Sequence, residues 1–245
     1  MCTVLVLLRP DDRWPLLVAT NRDERLDRAF DPPGRWWPDA PGITAWRDRA
    51  SGGSWLGVNE HGVVATVVNH LDELGPAPGK RSRGEIVLRA LRATGAATAI
   101  DALDGLDTRA YRGFTLLIAD RAHAFASTAS HGALRTRALA PGHHMLTPDG
   151  YDAAGTPRYD AHFSAFRAAE PPQPQRDDWS AWTALLRREA ADPHEAMTVV
   201  TDRGFGTVAA TLIGVPAAGP AVVRYADGPP TRAAFRTLDL RGFVA

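Results

Sequence analysis

Position 2 holds the only cysteine among the 245 residues of this chain. Removal of one residue, Met1, would leave Cys2 with a free α-amine on the same residue as its thiol. An α-amine has a pKa of about 8, so it can accept a proton at neutral pH. It can then act as the base for its own side chain, as in enzymes whose nucleophile is their first residue. The position of Cys2 therefore indicates nucleophilic catalysis.

A hairpin is predicted to bring charged side chains to this thiol. Residues 3–8 and 16–21 are short apolar runs rich in β-branched and long aliphatic side chains, joined by a polar segment. In such a hairpin the end of the second strand returns to the start of the first. The sequence Asn-Arg-Asp-Glu at 21–24 is therefore expected to lie beside Cys2.

Two of these residues suit the chemistry of a thiol nucleophile. The Arg22 guanidinium would lower the pKa of the thiol and raise the reactive thiolate fraction. Asp23 would orient the α-amine by accepting its hydrogen bond. The alternative interpretation is that Cys2 is a small residue in a first strand and that residues 21–24 form a solvated turn. Spacing alone leaves both interpretations open.

The rest of the chain reads as strands and helices in blocks. The segment 31–50 holds four prolines and three tryptophans, which is typical of an irregular but packed loop. Elsewhere, apolar periodicity and turn residues predict further strands and helices. The predicted strands are 54–58, 63–69, 114–120, 122–128, 133–139, 206–215, 221–228 and 231–238, and the predicted helices are 82–95, 96–106, 158–169 and 179–190.

This order contains hairpins throughout and no regular alternation of strand and helix. It favours the α+β class, with layered antiparallel sheets, over a doubly wound parallel sheet. No break in composition divides the chain. We therefore expect one domain over residues 1–245.

Composition excludes several classes of function. The chain has 28 basic and 28 acidic residues and a formal net charge of +0, so no overall field attracts nucleic acid or an anionic membrane. The apolar run 3–8 is too short for a signal peptide or a membrane span. A single cysteine forms no intramolecular disulfide. A cytoplasmic protein is the expectation.

Other side chains give weaker indications. Four histidines lack a spacing typical of metal ligands, and the glycines near residue 52 match no nucleotide-binding motif, so we expect no metal and no cofactor. Several tryptophans are candidates for the wall of an apolar acyl or haem pocket, although such residues more often pack in the core. The histidines are His143, His144, His162 and His194, and the tryptophans are Trp36, Trp37, Trp46 and Trp55.

Motifs along most of the chain resemble the NRDE family, also called the transport and Golgi organisation 2 family. The family takes its name from the four residues at 21–24. The matching stretches are "MCT" at 1–3, "ATNRDE" at 19–24, "GGSWLGV" at 52–58, "GVVATVVNH" at 62–70, "RGEIV" at 83–87, "YRGFTLLIAD" at 111–120 and "GFGT" at 204–207.

The resemblance extends to the N-terminal nucleophile hydrolases, and among them to the cysteine group that includes bile salt hydrolases and penicillin acylases. It implies a four-layer αββα sandwich with two antiparallel sheets. It also implies that Cys2 attacks an amide, that Arg22 and Asp23 flank it, and that Asn69 helps to stabilise the oxyanion. From the residues alone, Asn69 is more typical of a turn-capping asparagine than of an oxyanion donor. The neighbouring candidates for substrate binding are Asn21, Glu24, Gly53 and Trp55.

Two positions depart from the hydrolase pattern. Pro148 stands where those hydrolases carry a second asparagine, and Val208 stands where many relatives carry an arginine. Neither side chain donates a hydrogen bond. We therefore expect either a hydrolase or acyltransferase acting on an amide or thioester of a small, partly apolar molecule, or a haem or lipid-like cargo protein without turnover. The expected partner is a small acyl substrate or a haem-like ligand, and the sequence predicts no oligomeric state.

Overall fold

The backbone is dominated by antiparallel strands. The structure, a computed structural model, describes residues 2–238 and 240, without the side chain of Asp72. The strands within these residues are β1 (Thr3–Leu8), β2 (Leu16–Arg25), β3 (Phe30–Gly34), β4 (Ile43–Asp48), β5 (Leu56–Asn59), β6 (Val64–Asn69), β7 (Phe114–Ala119), β8 (Ala124–Ser130), β9 (Ala133–Leu139), β10 (Gly142–Thr147), β11 (Gly150–Tyr151), β12 (Phe205–Val215), β13 (Val222–Ala226) and β14 (Arg236–Leu238).

These strands form two sheets of seven in the described part of the chain. Sheet one has the order β11-β10-β1-β2-β12-β13-β14, and sheet two has the order β3-β4-β5-β6-β7-β8-β9. Every neighbouring pair is antiparallel. Sheet two therefore has its strands in chain order, with a helical segment between β6 and β7, whereas sheet one combines strands from both ends of the chain.

Helices cover the outer face of each sheet. Helices α1 and α2 pack on β5, β6 and β7 of sheet two, while α3 and α4 pack on β10 and β2 of sheet one. The result is the predicted α+β sandwich with αββα layers. The helices are α1 (Gly84–Leu91), α2 (Ala96–Asp101), α3 (Pro157–Ala168) and α4 (Ser180–Leu186).

Strand alternation divides the core in two. In β1, the even-numbered Val4 and Val6 pack in the larger apolar cluster, which includes the space between the sheets. The odd-numbered Leu5 and Leu7 pack in a second cluster with residues of α3 and α4. This follows from the two-residue period of a strand. It fixes which residues of β1 and β2 can face a site between the sheets.

The interpretation of 31–50 as an irregular loop is wrong. The segment contributes β3 and β4, which pair with a register shift between Asp31 and Gly34. Because β3 is an edge strand, its two prolines, Pro32 and Pro33, fall where a strand tolerates the loss of backbone donors. Strand β10 was not predicted. It pairs with β1 along its length, from Val4 opposite Leu146 to Leu8 opposite Gly142.

None of the helices in the described part of the chain has the length and apolar character that a membrane crossing requires.

Candidate active site

Cys2 lies at the open end of the hairpin formed by β1 and β2. The last pair of this ladder is Thr3 with Asn21, so Cys2 and Arg22 are the next residues on the two strands. The thiol is partly buried and donates a hydrogen bond to the Asp23 carbonyl oxygen, with 3.8 Å between sulfur and oxygen. The predicted hairpin is confirmed, and it brings residues 21–24 to the thiol as expected.

A cavity of about 480 Å³ lies over this end of the hairpin. Cys2, Arg22, Asp23 and Asn69 all line it. Its volume is in the range of small-molecule sites. The four residues assigned to catalysis from the sequence therefore converge on one space, although Asn69 comes from β6 of the other sheet.

Arg22 is held rigidly beside the thiol. It is 5% exposed, and its guanidinium carbon lies 3.7 Å from the ring centroid of Trp55. Its Nη2 lies 3.3 Å from Asp48 Oδ2 and 3.5 Å from Glu24 Oε2. Burial lowers the pKa of Arg22, whereas Glu24, the Cys2 sulfur and Asp48 oppose that change. These contacts fix a cation on the face of β2 that points between the sheets.

The environment of the thiol favours its neutral form in the resting protein. Burial raises the pKa of Cys2, and the Asp23 carboxylate acts in the same direction. The hydrogen bond to the Asp23 backbone and the charge of Arg22 act in the opposite direction. A buried thiol of this kind needs a base to become a nucleophile.

Asp23 lies on the opposite face of β2, towards the helices. Its Oδ1 accepts a hydrogen bond of 2.6 Å from the Thr207 hydroxyl, and its Oδ2 lies 3.5 Å from Nη1 of Arg158. Arg158 itself donates to the Thr3 hydroxyl at 3.0 Å. Burial raises the pKa of Asp23, whereas Arg158 and Thr207 lower it. Arg158 therefore links the Asp23 carboxylate to Thr3, the first residue of β1.

The substrate-binding candidates divide into two groups. Glu24 and Trp55 line the cavity, whereas Asn21 and Gly53 are not among the described lining residues. Asn21 is fully buried, and its amide nitrogen donates to the carbonyls of Leu186 at 2.9 Å and Met197 at 2.8 Å. Its position on the helix-facing side of β2 follows from strand alternation.

Gly53 permits two backbones to pass closely. A Cβ atom at this position would lie 2.7 Å from the carbonyl carbon of Gly84. Gly84 is the first residue of α1, and its carbonyl accepts a hydrogen bond of 3.1 Å from Ser54. Gly53 therefore sets the position of α1 against sheet two, close to the cavity but outside its lining.

The tryptophans contribute unequally to the site. Trp55 lies under Arg22 and stacks on Trp46, with ring centroids 5.2 Å apart. Trp46 lies behind it and joins the two sheets, because its indole N–H donates to Thr211 of β12 at 2.9 Å. Only Trp55 is among the described lining residues. Of the four tryptophans considered from the sequence, Trp36 and Trp37 also lie outside the lining.

The two departures from the hydrolase pattern occupy structural positions. Pro148 follows β10, is buried, and its carbonyl accepts a hydrogen bond of 3.2 Å from the Leu71 N–H. Val208 is the extra residue of a β-bulge, since Thr207 pairs with Asp23 and Ala209 pairs with Arg22. Val208 therefore lies beside the Arg22–Asp23 step of β2.

Sequence reasoning missed several charged and polar residues of the site. Arg28 and Asp48 form an ion pair with 2.6 Å between Nε and Oδ2, and both line the cavity with Arg83. Arg83 and Thr207 fall inside the stretches "RGEIV" and "GFGT", so those motifs carried a usable signal. Asp48 and Arg28 reach the site through packing, and no motif in the sequence indicated them.

The comparisons with known proteins agree with this architecture. The structure of the Caenorhabditis elegans ortholog of N-acylethanolamine-hydrolyzing acid amidase is similar with a TM-score of 0.58 at 12% identity, covering 97% of this chain and 100% of that chain. The C2A mutant of conjugated bile acid hydrolase from Clostridium perfringens gives a TM-score of 0.51 at 11% identity, covering 98% and 97%. A search of curated proteins gives no significant match.

These structural likenesses establish the fold, which is that of the N-terminal nucleophile hydrolases. The sequence comparison identifies the family more specifically than the structural comparison does. The family model described as Transport and Golgi organisation 2 matches residues 1–222, which includes β1, β2 and the Asn-Arg-Asp-Glu segment at 21–24. This chain therefore belongs to the transport and Golgi organisation 2 family.

Proposed function

We propose that the protein is a cysteine N-terminal nucleophile hydrolase or acyltransferase that acts on an amide or thioester of a small, partly apolar molecule. The observation that carries the proposal is the convergence of Cys2, Arg22, Asp23 and Asn69 on one cavity of about 480 Å³. The neighbouring Trp55 supplies an apolar surface. The bile acid hydrolase of similar fold, studied as a C2A mutant, supports a role for a cysteine at this position.

The reaction begins with removal of Met1, which lies outside the described residues. The α-amine of Cys2 then accepts the thiol proton, and the sulfur attacks the carbonyl carbon of the substrate. As the S–C bond is completed, the C–N or C–S bond breaks and the leaving group takes the proton from the amine. Water, or a second acceptor, then attacks the thioester and releases the acyl group with a free thiol.

The surrounding side chains supply electrostatic stabilisation. Arg22 stabilises the thiolate, and Asp23 accepts a hydrogen bond from the α-amine and holds it near the sulfur. The Asn69 amide donates to the oxyanion of the tetrahedral intermediate. The loss of one such donor typically lowers the rate by about 10²- to 10³-fold.

Cargo binding without turnover is less well supported by the cavity. Protein ligands of haem iron are His, Cys, Met or Tyr side chains. Cys2 is the sole residue of these types among the described lining residues. A haem would therefore have to use the proposed nucleophile as its axial ligand.

The first experiment measures the reactivity of Cys2 in protein whose Met1 removal has been verified by intact mass. Because the chain contains one cysteine, alkylation by iodoacetamide reports on this residue alone. We expect faster alkylation at pH 7 than in urea-unfolded protein, and slower alkylation in Arg22→Gln. Alkylation no faster than in unfolded protein would contradict an activated nucleophile.

The second experiment tests turnover with a panel of aryl thioesters and anilides. We expect a covalent acyl adduct on Cys2 in the mass spectrum, and a kcat for Asn69→Ala that is about 10²- to 10³-fold lower. The matched control carries a short extension that keeps the α-amine away from Cys2 while the thiol is retained. Equal turnover with and without the extension would exclude the α-amine as base.

A further inference from the structure

The cavity over Cys2 has two walls of different charge. On one side, Arg22 and Arg28 are neutralised by Glu24 and Asp48, which lie 2.6–3.7 Å from the two guanidinium groups. The other side is formed by lining residues between 75 and 84 together with Arg112. We name this side the cationic wall. Its charged lining residues are Lys80, Arg81, Arg83 and Arg112.

The cationic wall contributes no carboxylate to the described lining of the cavity. The other three cations each have at least one protein acceptor. Arg81 pairs with Glu85 at 2.7 Å, and Lys80 donates to the Arg109 carbonyl at 2.7 Å. Arg112 donates to the Leu74 carbonyl at 2.6 Å. Lys80 and Arg81 are exposed, whereas Arg83 is partly buried, like Arg112, and donates three hydrogen bonds, all to backbone carbonyls.

Arg83 is fixed by backbone carbonyls alone. Nη1 donates to the carbonyls of Glu73 and Gly113, both at 3.0 Å, and Nη2 donates to the Gly75 carbonyl at 3.1 Å. Carbonyls orient a guanidinium without neutralising its charge. No carboxylate within the described residues lies at salt-bridge distance from Arg83, whose charge therefore remains available to a ligand.

The N–H groups of Arg83 that lack a protein acceptor also favour the binding of an anion. A guanidinium has five N–H groups, and the three bonds to carbonyls use both hydrogens of Nη1 and one of Nη2. Nε–H and the second hydrogen of Nη2 have no acceptor in the described part of the chain. Two N–H groups of one guanidinium suit the two oxygens of a carboxylate or a similar oxyanion.

Partial burial of the Arg83 guanidinium favours the binding of an anion. Burial lowers the pKa of Arg83 to about 10, and repulsion from Arg112 adds to the effect, whereas the Cys2 sulfur, Glu73 and Glu24 oppose it. The group remains cationic at neutral pH. A partly desolvated cation near the sulfur interacts more strongly with an anion than a solvated one does.

We propose that the substrate carries an anionic group, a carboxylate or another oxyanion, and that Arg83 binds it through Nε–H and Nη2–H. The inference rests on the proposed function, since it names the substrate class of the same site. The acyl bond then lies at Cys2, and the anion lies against the cationic wall. Arg83 is a specificity-determining residue in this arrangement.

A pair of alkylating reagents tests the inference without knowledge of the substrate. Iodoacetate and iodoacetamide have similar size, and with both the Cys2 thiolate forms an S–C bond while iodide leaves. Iodoacetate carries a carboxylate and iodoacetamide is neutral. The ratio of their rate constants, normalised to the ratio for N-acetylcysteine, measures attraction of an anion to the cavity, because a change in thiolate fraction cancels.

We expect a normalised ratio well above one, falling roughly three- to tenfold in Arg83→Gln and by less in Arg83→Lys, which keeps the charge. Arg89→Gln is the matched control, because it removes an exposed arginine from α1, the helix that begins directly after Arg83. It should leave the ratio unchanged. Thermal unfolding and circular dichroism verify that each variant is folded.

The outcomes separate this inference from the proposed function. Fast reaction with iodoacetamide and a ratio unaffected by Arg83→Gln would overturn the anion site and leave the nucleophile intact. Arg83 would then serve only to hold the loop carbonyls. Slow reaction with both reagents and a ratio that still depends on Arg83 would support the anion site and contradict the activated nucleophile. Should Arg83→Gln not fold, an unchanged ratio in Arg83→Lys and a ratio near one in wild type would overturn the inference.

Discussion

Asn21 offers a sharp test of how the site is built, because it lies next to Arg22 in sequence but faces the helices. Its amide nitrogen links β2 to the carbonyls of Leu186 and Met197. We expect Asn21→Ala to destabilise the fold while leaving the reactivity of Cys2 unchanged. Arg22→Gln should have its larger effect on the reactivity of Cys2 and its smaller effect on the stability of the fold.

The magnitude follows from the partners that are lost. The Leu186 carbonyl keeps a hydrogen bond of 2.6 Å from the Thr198 hydroxyl, and the Asn21 contact with that hydroxyl is long, at 3.5 Å, so the main loss is the donor to the Met197 carbonyl. An unsatisfied buried acceptor costs about 1–3 kcal/mol. The Asn21 Oδ1 is itself buried without a partner in the described structure, and its removal offsets part of this cost. We expect a net loss of about 2 kcal/mol in the free energy of unfolding.

Asn21→Asp is the stricter variant. A carboxylate at this position would face two carbonyl oxygens with no donor to offer them. An uncompensated buried charge typically costs about 3–5 kcal/mol. The expected order of stability is therefore wild type, then Asn21→Ala, then Asn21→Asp, and Asn21→Asp should gain stability as the pH falls and the carboxyl group is protonated.

Urea unfolding and thermal unfolding measure these differences. For a chain of this length, 2 kcal/mol corresponds to a decrease in Tm of roughly 4–8 °C. Iodoacetamide alkylation of Cys2 in the folded variants supplies the second readout. The reasoning is refuted if Asn21→Ala keeps the wild-type Tm and yet alters the alkylation rate, because Asn21 would then act on the site.

Two further predictions concern packing and pH. Gly53→Ala should lose about 1–3 kcal/mol in unfolding free energy, because its Cβ would overlap the Gly84 backbone. Gly95→Ala, whose Cβ would lie 3.5 Å from its nearest neighbour, is the matched control, and equal Tm values for the two variants would contradict the close approach. His144 donates to Asp152 and to a backbone carbonyl, both at 2.7 Å, which together outweigh burial and raise its pKa. Its stabilising effect should be complete below the ordinary histidine pKa of about 6.5 and decrease as the pH rises through the raised value. Urea unfolding between pH 5 and about 9 should show this dependence in wild type and its loss in His144→Gln; the same pH slope in both would exclude the ion pair as its cause.

The pairing of Cys2 with Arg22 was predictable because it depends on local information. Two apolar runs separated by a short polar turn form a hairpin, and a hairpin sets its own register. Residues 21–24 must then lie at the end that holds Cys2. The hairpin of β5 and β6 and the meander of β7, β8 and β9 were predictable for the same reason, since each of these strands pairs with its neighbour in sequence.

The segment 31–50 shows where local reasoning failed. Its prolines indicate a loop when the segment is considered alone. The position of β3 at a sheet edge removes the objection to proline, but edge and centre are properties of the assembled sheet. Strand β10 was missed for a related reason, because its partner β1 lies at the other end of the chain.

The sequence by itself determined the nucleophile candidate, the hairpin that supplies Arg22 and Asp23, and the layered α+β class, because composition, period-two patterning and short-range pairing encode them. Only the tertiary structure decided which faces of β2 meet the cavity, and so separated Arg22 from Asn21. It also brought Asp48 and Arg158 to the site from distant segments. Contacts of this kind arise when sheets and helices pack against one another, and no local pattern in the chain records them.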